Sequence, residues 1–302
     1  MPGPGRMTMT PSPSPLDRYD RAAVRSSAVV IGEYSTSFGL AVRLLPAPVR
    51  GHVRNIYALV RLADEIVDGV AAAAGVPQER IAAALDALEV DTAAALTSGW
   101  STNLVVHAFA TTARTVGIEQ AIVTPFFTSM RMDLQRTTHT DASFAEYVDG
   151  SAEVVGLMCL RAFVAAGPPR LAEQLAVLEL GARRLGAAFQ KVNFLRDLAA
   201  DADGLGRAYF PGVDVRHIDE ATKVRLLDDI DAGLAAAALA LPLLEPGPRR
   251  AVALAHGLFA ELADRIRATP AQVLRTTRIR VPDPEKARLA ALAVAGRLPR
   301  RR

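Results

Sequence analysis

Two short stretches of this chain place carboxylates at a spacing that brings them onto one side of a helix. The first is Asp64-Glu65-Ile66-Val67-Asp68. Four helical residues rise about 6 Å and return to within about 40° of the starting direction, so Asp64 and Asp68 share a face. Alone, the two charges repel. With a hard divalent cation such as Mg²⁺ they become oxygen ligands that leave positions open for water and phosphate oxygens. The same face runs backwards through Arg61, Tyr57, Arg54 and Arg50, at alternating three- and four-residue steps, and apolar Val53, Ile56, Leu59, Val60 and Leu62 fill the positions between. Guanidinium groups beside metal-bound carboxylates suit a departing diphosphate.

The second stretch runs from Gln190 through Asn193 and Asp197 to Asp201, again with every amide and carboxylate on one face and with Phe189, Val192, Phe194 and Leu195 between them. An Asp-x-x-x-Asp pair arises by chance about once in a chain of this size, so either motif alone reads as a solvated acidic face. Two of them, each prolonged along its own stripe by amides or arginines, point to a divalent-metal and diphosphate site.

Both stretches need helices to position them, and the composition supplies helices. Of 302 residues, 50% are hydrophobic but only 5% aromatic, and Ala and Leu dominate. Such a chain packs helix on helix, so the predicted class is all-α. Breaks are predicted at Pro46–Pro48, Gly75–Pro77, Gly99, Pro125, Gly167–Pro169, Pro211–Gly212, Pro246–Pro248 and Pro282–Pro284. They leave segments too long for strands and apolar at helical spacing. No internal repeat or linker divides the chain. The expected organisation is a disordered Pro/Ser-rich tail (1–16), one all-α domain (17–296) and a basic tail (297–302).

Other classes lose support from what the residues lack. The one cysteine, Cys159, lies in an apolar run and reads as a core thiol of a reducing compartment. The five histidines form no H-x-x-x-H, H-E-x-x-H or E-x-x-H pattern, so neither a zinc nor a di-iron site is expected. A net charge of +3 gives no reason to expect a nucleic-acid partner. The N-terminus has no apolar signal segment and no run reaches the ~18–20 apolar residues of a membrane span, which predicts a cytoplasmic protein. The terminal arginines suit at most a peripheral contact with a membrane surface.

Several segments together resemble the squalene/phytoene synthase family, over about residues 34–281. Tyr34-Ser35-Thr36-Ser37-Phe38 is similar to the family's Ser-rich opening, and Leu44-Leu45-Pro46 with Arg50, Ile56-Tyr57, Arg61, Asp64 and Asp68 to its first acidic block. Met130-Arg131-Met132-Asp133-Leu134 and Tyr147-Val148-Asp149-Gly150-Ser151-Ala152, leading to Gly156, resemble two further segments. The most specific likeness is Gln190, Asn193, Leu195-Arg196-Asp197 and Asp201, followed by Gly206-Arg207-Ala208-Tyr209-Phe210-Pro211.

The resemblance implies a prenyl-synthase helical bundle around a central cavity. It implies Mg²⁺, with Mn²⁺ as a substitute, held by Asp64, Asp68, Asn193, Asp197 and Asp201. Ser35, Ser37, Phe38, Arg61, Gln190, Asn193, Arg196 and Arg278 would contact the diphosphates. The implied reaction joins two geranylgeranyl diphosphates head to head, through a cyclopropyl diphosphate, to phytoene, with no NADPH. The alternative within the class uses two farnesyl diphosphates to make squalene, dehydrosqualene or hydroxysqualene. Monomer or weak homodimer is the expected state.

Some positions depart from the family pattern. Tyr34, Arg54 and Asp149 replace commoner residues, and Phe259 stands where relatives often carry a cavity-facing tyrosine. Asp149 and Glu153 either face the cavity, form an interhelical hydrogen bond or stay exposed to solvent, and Arg161 is expected to reach solvent. A catalytically retired scaffold would show eroded aspartates or arginines, and here they are in place. A helical nucleotide pyrophosphohydrolase would favour glutamate-rich pairs.

Overall fold

Proline and glycine punctuate the chain, and most helices begin or end where they stand. A computed structural model describes residues 14–198, 206–214 and 216–297. Among these the regular structure is helical, with one isolated bridge between Thr138 and Ala208. Helix α1 (Pro15–Tyr34) starts behind a capping box in which Ser14 and Asp17 exchange side-chain-to-backbone bonds. It therefore begins inside the segment expected to be disordered. Pro15 sits where an N–H would have no helical partner, and Ser14 satisfies a donor of the first turn. The rest of the expected tails, 1–13 and 298–302, lie outside the described residues.

Helix α2 (Ser37–Val42) is short. Pro46 then opens α3 (Ala47–Val67), which is followed by α4 (Val70–Ala73). Pro77 opens α5 (Gln78–Ser98), which stops at Gly99 in the left-handed region at φ +79°. The Asn103 side chain caps α6 (Leu104–Val116). The break predicted at Pro125 does not occur, because Pro125 lies inside α7 (Gln120–Gln135). A proline there removes one helical bond, but its neighbours Phe126 and Phe127 are fully buried and hold the helix in place.

Helices α8 (Asp141–Val148) and α9 (Val154–Ala165) form one run joined by a π-helical turn, Asp149–Glu153. Gly150 makes the turn possible: a Cβ there would lie 2.1 Å from the Pro125 carbonyl oxygen. Helices α10 (Ala172–Arg196) and α11 (Glu220–Ala240) pack along each other with Gly181 against Ala240 and Ala188 against Gly233, an antiparallel register. After a 3₁₀ turn (Leu241–Leu243) come α12 (Pro246–Ala268), α13 (Ala271–Leu274) and α14 (Asp283–Val294).

The buried apolar side chains fall into two main groups. One is built on α3, α5, α6, α7 and α9, the other on α10, α11, α12 and α14. Between them lies a cavity of about 550 Å³, walled by α2, α3, the π turn and α9 on one side and by α10, α11 and α12 on the other. No helix among the described residues is long and apolar enough to cross a membrane.

Candidate active site

Helix α3 buries Val53, Ile56, Leu59 and Ala63 and leaves its polar stripe half-exposed. From that stripe Tyr57 and Arg61 enter the cavity wall. Tyr57 stacks on Phe38 with ring centroids 5.7 Å apart, and the Arg61 guanidinium lies 4.5 Å above the Tyr34 ring while pairing with Glu65. Arg61 Nε is buried with no hydrogen-bond partner among the described residues. Ser35 accepts from the Gly39 N–H at 3.1 Å and, with Ser37 and Phe38, forms the adjoining wall.

Asp64 and Asp68 lie beyond these wall residues, toward the C-terminal end of α3, and Asp68 is its C-cap. The Asp64 carboxyl group is pushed up to about 8, first by burial and then by Asp68, with Arg61 opposing and Asp133 and Glu65 adding to the rise. Asp133, at the end of α7, is pushed up to about 6 by burial, against the pull of Arg207 and of the hydroxyls of Tyr147 and Tyr209. Arg207 is 7% exposed and donates to Asp68 Oδ1 (2.9 Å), the Val67 carbonyl (2.9 Å), the Asp133 carbonyl (3.1 Å) and the Tyr209 hydroxyl (3.2 Å). Tyr147 donates to Asp133 at 2.8 Å.

The second motif ends α10 as the first ends α3. Gln190, Asn193 and Arg196 line the cavity, together with Arg278 from the segment after α13. Asp197 is the C-cap, its N–H bonded to the Asn193 carbonyl at 2.9 Å. Its carboxylate is clasped by Arg196 and by Arg278 Nε, the latter at 2.8 Å. Asn193 Oδ1 is buried without a partner among the described residues. Asp201 lies outside the described residues. All eight residues expected to contact diphosphate thus line one cavity. Asp64, Asp68 and Asp197 are not among its wall residues.

The donor set fits a divalent cation. The described aspartates of both motifs, Asp64, Asp68 and Asp197, lie in or just after the last turn of their helices, where the carbonyl ends repel anions and attract cations. Asp64, Asp68 and Asp133 influence one another, Asp68 and Asp133 share Arg207, and Asp64 and Asp133 are both driven toward protonation. Two arginines hold the Asp197 carboxylate, as a cation would, and the Asn193 amide oxygen one turn earlier has no partner among the described residues. Among the described residues no three His, Cys, Asp or Glu side chains converge as a ready cage.

Asp149 and Glu153 resolve as an interhelical contact: both pair with Arg183 of α10, at 2.5 and 3.4 Å, and neither lines the cavity. The π turn presents Ser151 and Ala152 to the cavity instead. Arg161 reaches solvent and pairs with Glu179 at 3.2 Å. Cys159 lines the wall with its thiol pushed up to about 12 by burial, which leaves it inert. Phe259 stacks on Phe189 at 3.8 Å and gives the wall a ring without a hydroxyl. Sequence reasoning assigned no role to Asp133, Tyr147, Arg207 or Tyr209. All four stand in segments that carried the family resemblance, but no helical spacing links them.

A family model described as squalene/phytoene synthase matches residues 31–285. The chain belongs to the squalene/phytoene synthase family. It is 29% identical over 294 residues to a 15-cis-phytoene synthase from Paracoccus sp., covering 90% of each chain. It is 29% identical over 301 residues to a phytoene synthase from Mycobacterium tuberculosis, covering 90% of this chain and 91% of that one. A presqualene diphosphate synthase from Rhodopseudomonas palustris is 29% identical over 247 residues, with 81% and 79% covered. Among solved structures, a dehydrosqualene synthase superposes with a TM-score of 0.78 at 23% identity, covering 94% of this chain and 99% of that one. A squalene synthase from Alicyclobacillus acidocaldarius gives 0.69 at 20% identity, covering 84% and 96%. The fold is therefore the all-helical one of these synthases, and the family is one of prenyltransferase-type enzymes.

Proposed function

We propose that this protein condenses two geranylgeranyl diphosphates head to head to phytoene. The observation that carries the reading is one cavity with two characters. Arg61, Gln190, Asn193, Arg196 and Arg278 supply cations and amides to its wall, and Val155, Phe163, Leu178, Leu185, Leu241 and Leu244 are among the apolar remainder. The match to phytoene synthases over 90% of the chain favours the C20 substrate.

Arginines receive the diphosphate as the C–O bond of the first substrate breaks and the electron pair leaves with oxygen. The allyl cation left behind is enclosed by apolar side chains, which keep water from quenching it. The double bond of the second substrate attacks the cation, and a proton passes to a pyrophosphate oxygen as the cyclopropane closes. Phe259 has no hydroxyl to take that proton. A second C–O cleavage, rearrangement and proton loss give the hydrocarbon, and no reductant is consumed. Asp64, Asp68, Asn193, Asp197 and Asp201 would hold Mg²⁺ or Mn²⁺. When bound, the metal supplies positive charge to the diphosphate oxygens. The reaction would take place in the cytoplasm, with peripheral membrane contact for the product.

A second reading rests on the presqualene diphosphate synthase match at the same identity: two farnesyl diphosphates, with the reaction ending at the cyclopropyl diphosphate. Purified protein with Mg²⁺ and either C15 or C20 diphosphate, with and without NADPH, separates the two. A C40 hydrocarbon from C20 without NADPH supports the proposal. Release of a C30 cyclopropyl diphosphate supports the second reading, and absence of pyrophosphate release from both substrates refutes both.

A further inference from the structure

Helix α10 turns one side to the cavity, and the side away from the cavity, flanking α11, carries an exposed stripe. Glu173, Val177, Leu180 and Arg184 follow steps of 4, 3 and 4, and all four are exposed, Val177 at 43% and Leu180 at 55%. On a helix these positions fall within about 60° of one another. Leu239 of α11, 76% exposed, lies beside the stripe. With Gly181 facing Ala240 across the antiparallel pair, the residues one before each, Leu180 and Leu239, point to the same outer side. Neither Glu173 nor Arg184 has an ion-pair partner among the described residues, whereas the neighbouring Arg183, Lys191 and Glu179 are all paired.

The order of the stripe is palindromic in charge: acid, apolar, apolar, base. A second α10 laid antiparallel across it about the point between Val177 and Leu180 sets Val177 against Leu180 twice. The same placement sets Glu173 against Arg184 twice. A twofold dimer requires this self-complementarity, in which residue i meets j and j meets i. We infer that the α10 face formed by Glu173, Val177, Leu180 and Arg184, flanked by Leu239, joins two copies of this chain in an antiparallel twofold dimer. The stripe spans about 17 Å. Two helices wide, it covers roughly 350 Å² per protomer, below the ~800 Å² of a stable complex, so the dimer dissociates in the micromolar range or above. The same helices wall the cavity on their other side, so the interface is independent of the reaction assigned to that cavity.

Sedimentation equilibrium of the full chain over micromolar to millimolar concentrations tests this. The wild type self-associates as a monomer–dimer. Leu180→Glu, which adds a like pair of charges to the centre, weakens the association at least about tenfold. Glu173→Arg and Arg184→Glu each weaken it, and the double charge swap restores it, an outcome that general surface stickiness would not give. Far-UV circular dichroism confirms that these exposed substitutions leave the helices intact. A wild type that stays monomeric throughout the range overturns the inference, as does a double swap as weak as the singles. Monomeric protein that instead pelts with phosphatidylcholine–phosphatidylglycerol vesicles, and loses that binding in Leu180→Glu, assigns the face to lipid and likewise overturns it.

Discussion

Replacing Arg207 by methionine removes one charge from a position where it has five functions. The guanidinium donates to Asp68, to the Tyr209 hydroxyl and to the carbonyls of Val67 and Asp133, and it stands 3.6 Å from the Asp133 carboxylate. Methionine keeps most of the volume and none of the donors. Asp68 is 40% exposed, so water replaces much of what it loses, but Asp133 is only 4% exposed and remains as a buried carboxylate without its counter-charge. Breaking a buried pair on one side costs about 3–5 kcal/mol, and the exposure of Asp68 places Arg207→Met near the lower end, about 3 kcal/mol. Urea unfolding of metal-free protein, followed by far-UV circular dichroism, measures it as a fall in midpoint at constant slope. Adding Asp133→Asn removes the stranded charge, keeps an acceptor for one tyrosine hydroxyl and turns an N–H donor toward the other, so the double variant should recover roughly 1–2 kcal/mol. A cost below about 1 kcal/mol for Arg207→Met, or no recovery in the double variant, would show that the guanidinium does not neutralise Asp133.

Further outcomes concern the same site and the helices that carry it. Asp64 and Asp133 hold their protons more tightly in the folded chain, at about 8 and about 6, than the ordinary 3.8. Their contribution to the stability of the metal-free protein should therefore be fully present below about pH 4 and be lost as pH rises through about 6 for Asp133 and about 8 for Asp64. The shifts correspond to at most roughly 6 kcal/mol for Asp64 and roughly 3 kcal/mol for Asp133, and Asp64→Asn should flatten the upper part of the profile, read as Tm against pH. Asp64→Ala and Asp197→Ala should each cut turnover by at least about a hundredfold with helical content unchanged, and undiminished turnover in either would remove it from the catalytic set. Gly150→Ala, whose Cβ would meet the Pro125 carbonyl at 2.1 Å, should cost about 2–4 kcal/mol in urea unfolding. Gly51→Ala, inside α3 with nothing within 4 Å, should be neutral or stabilise by about 0.5–1 kcal/mol.

The sequence by itself determined the helical class, because Ala- and Leu-rich segments between prolines and glycines have few other ways to bury their apolar sides. It also determined which residues share a helix face. Arg61 with Tyr57, and Gln190 with Asn193, needed only the helical period to be grouped, and each group lines the cavity. That period could not say how far a stripe remains in the wall. Asp64, Asp68 and Asp197 fall at the helix ends beyond it, where the chain turns and local spacing stops being a guide. It also misjudged Pro125, because the packing that holds a proline within a helix comes from Phe126, Phe127 and a glycine 25 residues away. Only the tertiary structure decided the partners. Asp149 and Glu153 were ambiguous until Arg183 of α10 was seen beside them. The cluster of Asp68, Asp133, Tyr147, Arg207 and Tyr209 draws on four separate segments. A hydrogen bond needs two groups within about 3 Å, and between helices that distance is set by how their side chains interlock, a property of the whole packed chain that no single segment carries.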